Sequence, residues 1–179
     1  MARLPDPTGS LDDETQALYD QMAAKRGRLD GMYTSLFNHP ELVRRISALG
    51  TFLRFEATLP GEVRELAILL TARRLGVGYE WVKHVPPAGK AELSPSVIEA
   101  VRQGRDLAPF STIFPLVERA VETVLDEKSL EDALQQSMEE RFGLKGVMEI
   151  VILVGFYRMI AAYIRAFDVP LPPGSAAPF

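Results

Sequence analysis

The sequence contains no cysteine among its 179 residues. Disulfides, thiolate nucleophiles and zinc–thiolate sites are therefore excluded. Histidine is nearly as scarce, with two residues, His39 and His84. Basic charge is not in excess: 20 Lys and Arg stand against 24 Asp and Glu, for a net charge of −4 and a pI near 5.3. Nucleic acid and anionic membrane surfaces recruit basic proteins, so neither is expected as a partner. No stretch alternates apolar and polar residues between hairpin turns, so no strand is expected. Long uncharged apolar runs are also missing. The most apolar stretch, 147–164, holds Glu149 and Arg158, with eight uncharged residues between them. A membrane span needs about 20 mostly apolar residues, so this stretch reads as a buried helix. The opening Met-Ala-Arg-Leu-Pro-Asp-Pro lacks the apolar centre of a signal peptide, and the cytoplasm is the expected location.

What remains is ordinary for a soluble globular chain: 47% hydrophobic and 25% charged residues. The length allows one domain with a sizeable core. Apolar residues recur at helical spacing almost throughout, which predicts a single all-α domain over 1–179 with eight or nine helices. Its core is expected over 35–170, with an extended segment at 1–9 and a proline-rich tail at 169–179. Ser10 is the expected first N-cap and Gly27 the first stop. Pro40 is expected to open a helix reaching about Ala57, because a proline fits the first helical position. Helices follow at 61–75, from 78, at 95–103, at 112–127, at 129–142 and at 145–167. Pro86 and Pro87 should kink the helix from 78 or end it near Val85. Ser129 is expected to cap the helix that Gly143 closes. Residues 65–80 and 149–164 share Glu65/Glu149, Ile68/Ile152, Leu69/Leu153, Arg74/Arg158 and Tyr79/Tyr163, which is either an internal repeat or the chance likeness of two apolar helices.

The best candidate chemistry lies in 65–84. Glu80 and His84 stand four apart and share one face of a helix. Glu65 precedes them on another apolar helix, with Gly76 and Gly78 at the turn between. In an antiparallel pair, Glu65 sits about 16 Å and His84 about 9 Å from that turn at ~1.5 Å rise per residue. Tilt and long side chains bring the three groups within reach of one apolar layer. A carboxylate and an imidazole buried together form a tunable proton relay. The plainer alternative is an exposed Glu80–His84 pair and a first-turn Glu65 favouring its helix dipole. Tyr79 and Trp81 flank the pair and are candidates to contact substrate. Arg54, Arg64, Arg73 and Arg74 read as solvated or paired, although an arginine suits a substrate carboxylate. Arg74 is the one assigned to the substrate-binding set. His39 precedes a proline and reads first as a turn residue, and it completes that set. With one histidine well placed, no metal is expected.

The residues Leu59-Pro60-Gly61-Glu62-Val63-Arg64-Glu65-Leu66-Ala67-Ile68-Leu69, then Tyr79-Glu80-Trp81-Val82-Lys83-His84, then Ala91-Glu92-Leu93-Ser94 resemble the carboxymuconolactone decarboxylase family. Asn38-His39-Pro40-Glu41-Leu42 and the carboxy-terminal apolar helix extend the likeness, which covers about 35–105 well and 145–170 loosely. The resemblance implies a helical bundle of the alkyl hydroperoxidase D type that works as a homo-oligomer: a trimer, hexamer or dimer. One branch of that family uses a Cys-x-x-Cys pair. Val77 and Glu80 occupy the matching positions here, so thiol peroxidase chemistry is excluded. The family's relay glutamate and histidine match Glu65 and His84. The other branch decarboxylates a γ-carboxylactone without cysteine.

Two functions are therefore expected as alternatives. The first is a cofactor-independent lyase or related acid–base enzyme acting on a small carboxylated, lactone-like molecule, as in aromatic catabolism. His84 is its proton donor, tuned by Glu80 and Glu65. The second is a non-catalytic oligomeric protein of the same fold that binds a small molecule.

Overall fold

The computed structural model describes residues 3–27 and 29–179. Met1 and Ala2, part of the segment expected to be extended, lie outside the described residues, as does Arg28. Among the described residues there are eight α-helices and no strand, and 68% of the chain is helical. In order they are α1 (Asp13–Arg26), α2 (Met32–Leu36), α3 (Pro40–Thr51), α4 (Gly61–Leu75), α5 (Gly78–Lys90), α6 (Pro95–Gln103), α7 (Phe114–Leu125) and α8 (Asp132–Ala166). A five-residue π-helix, Phe52–Glu56, extends α3.

The first cap differs from expectation. Asp12, not Ser10, accepts the Thr15 amide at 2.8 Å, and the Ser10 hydroxyl is turned back onto the Pro7 carbonyl at 3.4 Å. Ser129 does not cap α8 either. Glu127 takes a φ of 60°, and the helix starts after Glu131 with no side-chain cap. His39 does cap α3, its Nδ1 accepting the Leu42 amide at 3.3 Å with Pro40 in the first turn.

α4 is the central helix and packs against α5, α6, α7 and α8. It is buried on nearly every side, from Val63 through Ala72 apart from Arg64. That accounts for its apolar character all round, since a helix enclosed by others has no solvent face to make polar. Gly76 ends it in the left-handed conformation (φ 64°), donating its amide to the Arg73 carbonyl. The chain then reverses into α5, so α4 and α5 form the antiparallel pair that carries the site.

α5 runs through Pro86 and Pro87 to Lys90 rather than ending near Val85. Each proline removes the amide that a regular helix would direct to the carbonyls of Val82 and Lys83. Packing overrides that preference: Ala88, the next residue, is fully buried, and its carbonyl accepts the amides of Ala91 and Leu93.

The likeness of 65–80 to 149–164 does not extend to tertiary structure. The first stretch breaks at Gly76, whereas 149–164 lies wholly within α8. α8 is interrupted instead at Gly143 (φ 66°, ψ 169°), the boundary expected between two helices. By length and composition α8 would suffice to cross a membrane, yet 56% of its most apolar window is buried within the fold. Glu149, buried on α8, accepts the amides of Thr58 and Leu59 and the Thr58 hydroxyl at 2.9–3.0 Å. It thereby fastens the loop entering α4.

Candidate active site

Glu65, Glu80 and His84 are all buried, at 2%, 5% and 4% exposure. They are held on facing sides of α4 and α5. Glu65 Oε2 lies 2.8 Å from His84 Nδ1. The opposite ring nitrogen, Nε2, lies 3.0 Å from the Tyr157 hydroxyl on α8 and 3.5 Å from Glu80 Oε2. The offset expected along the helices is thus closed by side-chain reach.

The protonation pattern follows from the partners. Burial works against a charge on Glu65, but the His84 hydrogen bond and the charges of His84, Arg54 and Arg64 outweigh it and hold the carboxyl below its usual range. An ionised carboxylate only accepts, so His84 Nδ1–H donates to it. In the neutral ring Nε2 is then the acceptor, and the Tyr157 hydroxyl donates to it. Burial raises Tyr157 well above the ordinary phenol range, which keeps that proton in place. Glu80 behaves in the opposite way to Glu65. Burial raises it, and the charges of His84, Arg54 and Lys83 offset this only in part. Two carboxyl groups thus flank one imidazole, one favouring the charged form and one the neutral form.

A small cavity of about 50 Å³ opens beside this cluster, lined by Tyr33, Arg54, Tyr79, Glu80, His84 and Tyr157 among others. That is room for one or a few waters, since a single water needs at least about 10–15 Å³ measured this way. Tyr79 shapes one wall. Its hydroxyl is 3.1 Å from the Asp30 carbonyl and 3.0 Å from the Asp30 carboxylate, and it accepts the Met32 amide at 3.3 Å. Gly31 makes this approach feasible: a Cβ there would lie 2.8 Å from the Tyr79 ring, and its φ is 50°.

Arg54 and Arg26 line both this cavity and a second, larger one of about 430 Å³ on the far side of Glu65. The larger space is also lined by Lys25, Arg64 and Lys90.

The other sequence candidates lie elsewhere. Trp81 is buried but stacks edge-on against Phe179 at 5.5 Å and does not line the cavity. On α5 it sits one residue after Glu80, which turns it about 100° away around the helix. Arg74, near the end of α4, has its side chain 56% exposed and pairs with Asp126 at 3.2 Å. His39 is exposed and engaged as the α3 cap. None of these three meets the Glu65–His84 cluster. Glu65 and Glu80 address opposite nitrogens of His84, so one ion cannot touch all three groups. Among the described residues no cluster of three or more His, Asp and Glu is arranged to hold a metal.

Tyr157 and Arg26 were not legible as site residues. Tyr157 lies in an aliphatic stretch that reads as core, and its hydroxyl in that setting is the only hint. The chain matches no protein-family model and no curated protein sequence.

Proposed function

We propose that the chain is an acid–base enzyme, similar to a carboxymuconolactone decarboxylase, in which Glu65, His84 and Glu80 move a proton to or from a small carboxylated substrate. One observation carries this reading: two buried carboxyl groups on either side of one imidazole are pushed in opposite directions. Environments that separate two like groups in this way mark the charged and the neutral partner of a proton transfer. Glu65 holds the ring by Nδ1, leaving Nε2 to exchange the proton. Glu80, the carboxyl that stays neutral longest, supplies or recovers that proton, and Tyr157 aligns the ring.

In a decarboxylation the C–C bonding pair moves into a conjugated lactone carbonyl as carbon dioxide departs. Glu80 protonates His84 Nε2 as the Tyr157 hydroxyl turns from it, the resulting dienolate carbon takes that proton from the imidazolium, and solvent returns one to Glu80. No external electron acceptor is required, because the substrate carbonyl serves. The cavity beside His84, at about 50 Å³, is smaller than a usual ligand pocket of about 300–1,000 Å³, so substrate access requires the walls around Arg54 to part. A panel of carboxylated lactones tested for carbon dioxide release checks the reading. His84→Ala should lower turnover by about 10² to 10⁴ with the far-ultraviolet spectrum unchanged. Turnover equal to that of the parent would refute a role for the imidazole.

The second reading, a non-catalytic small-molecule binder, draws on the larger basic cavity, whose size suits a ligand. It predicts binding with no turnover in either protein.

The assembly belongs to the same proposal. Leu144, Met148, Ile152 and Met159 on α8 expose 45–60% of their surface, beside exposed Phe52. Phe52, Met148 and Ile152 line an apolar groove of about 380 Å³. Apolar patches of this kind mark association surfaces, and a second copy of this chain is the proposed occupant.

A further inference from the structure

The larger cavity is lined by five cationic side chains, Lys25, Arg26, Arg54, Arg64 and Lys90, and by a single carboxylate, Glu65. In a chain of net charge −4 that concentration stands out. Glu65 does not neutralise it, because one oxygen serves His84 and the other lies 3.5 Å from Arg64 Nε. Lys25 is paired with Glu56 at the surface.

Arg54 and Arg26 differ from ordinary surface arginines. The Nε of each is buried without a hydrogen-bond partner among the described residues. Arg26 donates from Nη2 to the Ser47 carbonyl and the Thr51 hydroxyl at 3.2 and 2.9 Å. Arg54 makes no hydrogen bond and no ion pair among the described residues. It is only half-buried, and its guanidinium lies 5.0 Å from the Phe55 ring centre. Leaving a buried charged donor unmatched is costly. Burial lowers Arg26 below its usual range, and repulsion from the Arg54 guanidinium adds to it. The π-helix places Arg54 here. One residue more per turn than in an α-helix shifts its side chain, and such insertions recur at functional sites.

We propose that this basic cavity is a binding site for a small organic carboxylate, which Arg54 and Arg26 grip at the threshold of the buried Glu65–His84–Glu80 cluster. An anion there gives Arg54 the ion-pair partner it lacks among the described residues and relieves the repulsion between the two guanidinium groups. Planar guanidinium forks match a carboxylate in bidentate fashion. The site deepens the acid–base reading, because it rests on that reading for what the anchored molecule meets, but its binding stands by itself.

Isothermal titration of the full chain at low ionic strength tests it with succinate, its neutral diamide and inorganic phosphate. Succinate should bind and the diamide should not. Arg54→Gln should weaken succinate about tenfold or more, as expected for loss of a charge-assisted hydrogen bond, and Arg119→Gln, at a surface arginine paired with Glu131 away from the cavity, should leave it within about twofold. If Arg54→Gln fails to fold, Lys90→Gln at the rim should weaken succinate about twofold to threefold and flatten its salt dependence. Equal succinate affinity in wild type, Arg54→Gln and Lys90→Gln would overturn the site, as would no binding by wild type. Phosphate binding tighter than succinate would overturn the ligand class. Intact succinate binding by the wild type with no turnover of any lactone in the panel would sink the acid–base reading alone.

Discussion

Replacing Glu80 by glutamine should make the protein more stable at neutral and alkaline pH. Glu80 is 5% exposed, forms no hydrogen bond within the described residues, and has His84 Nε2 at 3.5 Å as its nearest ionic neighbour. Burial raises its folded titration above the unfolded value, while the charges of His84, Arg54 and Lys83 oppose that shift. Below the unfolded value, about pH 4.3, the carboxyl is protonated in both states and its stability contribution is fully present. As pH rises further, the unfolded chain ionises first, and stability is lost until the folded carboxyl also titrates. Every pH unit separating the two titrations is worth about 1.4 kcal/mol. Glutamine keeps the shape and the neutral form, so it escapes this loss. Urea unfolding of both proteins at pH 4, 6 and 8 should show curves that coincide at the acid end and diverge upward. The variant should lose turnover while it gains stability, as happens where a site is maintained against the fold. A variant less stable than its parent at pH 8 would refute the reasoning, because it would mean that Glu80 is ionised against a protonated His84.

Glu65→Gln should behave in the opposite sense. Its folded titration is depressed, so its contribution is present above the unfolded value and fades as pH falls through the folded one, and the variant should be destabilised at pH 7 but progressively less so in acid unfolding. Tyr157→Phe removes the proton donated to His84 Nε2, and should lower turnover by about tenfold with a displaced pH–rate profile. Glu149→Leu strips the Thr58 and Leu59 amides of their acceptor and should cost about 2–4 kcal/mol in chemical denaturation, whereas Glu149→Gln should cost less. Met148→Glu should drive the protein toward monomer in sedimentation velocity, with helix content retained.

The helices were legible because apolar spacing and glycine or proline punctuation mark them. Gly61–Leu75 and Pro95–Gln103 follow from a Pro-Gly opening, a serine cap and glycine stops. The caps at Ser10 and Ser129 misled because several acids lie next to each serine, and the choice among neighbouring side chains depends on turns that sequence spacing does not encode. Pro86 and Pro87 misled because a local rule yielded to the burial of Ala88. The Glu80–His84 face follows from helical periodicity, and the approach of Glu65 from the antiparallel turn at Gly76. Tyr157 comes from a helix 73 residues further along the chain than His84, and no local pattern ties the two. Arg54 reads as a surface charge until the π-helix turns it inward. Trp81 and Arg74 share elements with the cluster but face other directions, and proximity in sequence was mistaken for proximity in space.

The energetic asymmetry of the cluster bears on which function it serves. A fold seeking only stability would fill the Glu80 position with an aliphatic side chain, since removing a lone buried carboxyl relieves a desolvation cost of several kcal/mol when charged. Glu65 is different, because its hydrogen bond to His84 and its approach to Arg64 give the charge partners. A binding protein would need the cations at the threshold but not a carboxyl beyond them that burial pushes toward its neutral form, 3.5 Å from an imidazole nitrogen. Arg54 connects the two requirements. It lines both cavities, and its charge lowers both carboxyls. An anion bound to Arg54 therefore screens that charge, making Glu80 harder to ionise and a better-held proton source when a carboxylate arrives. Ligand-dependent titration of Glu80, followed by carbon-13 NMR with and without succinate, should move upward on binding. A titration indifferent to succinate would separate the anion site from the proton relay and leave the two cavities functionally unconnected.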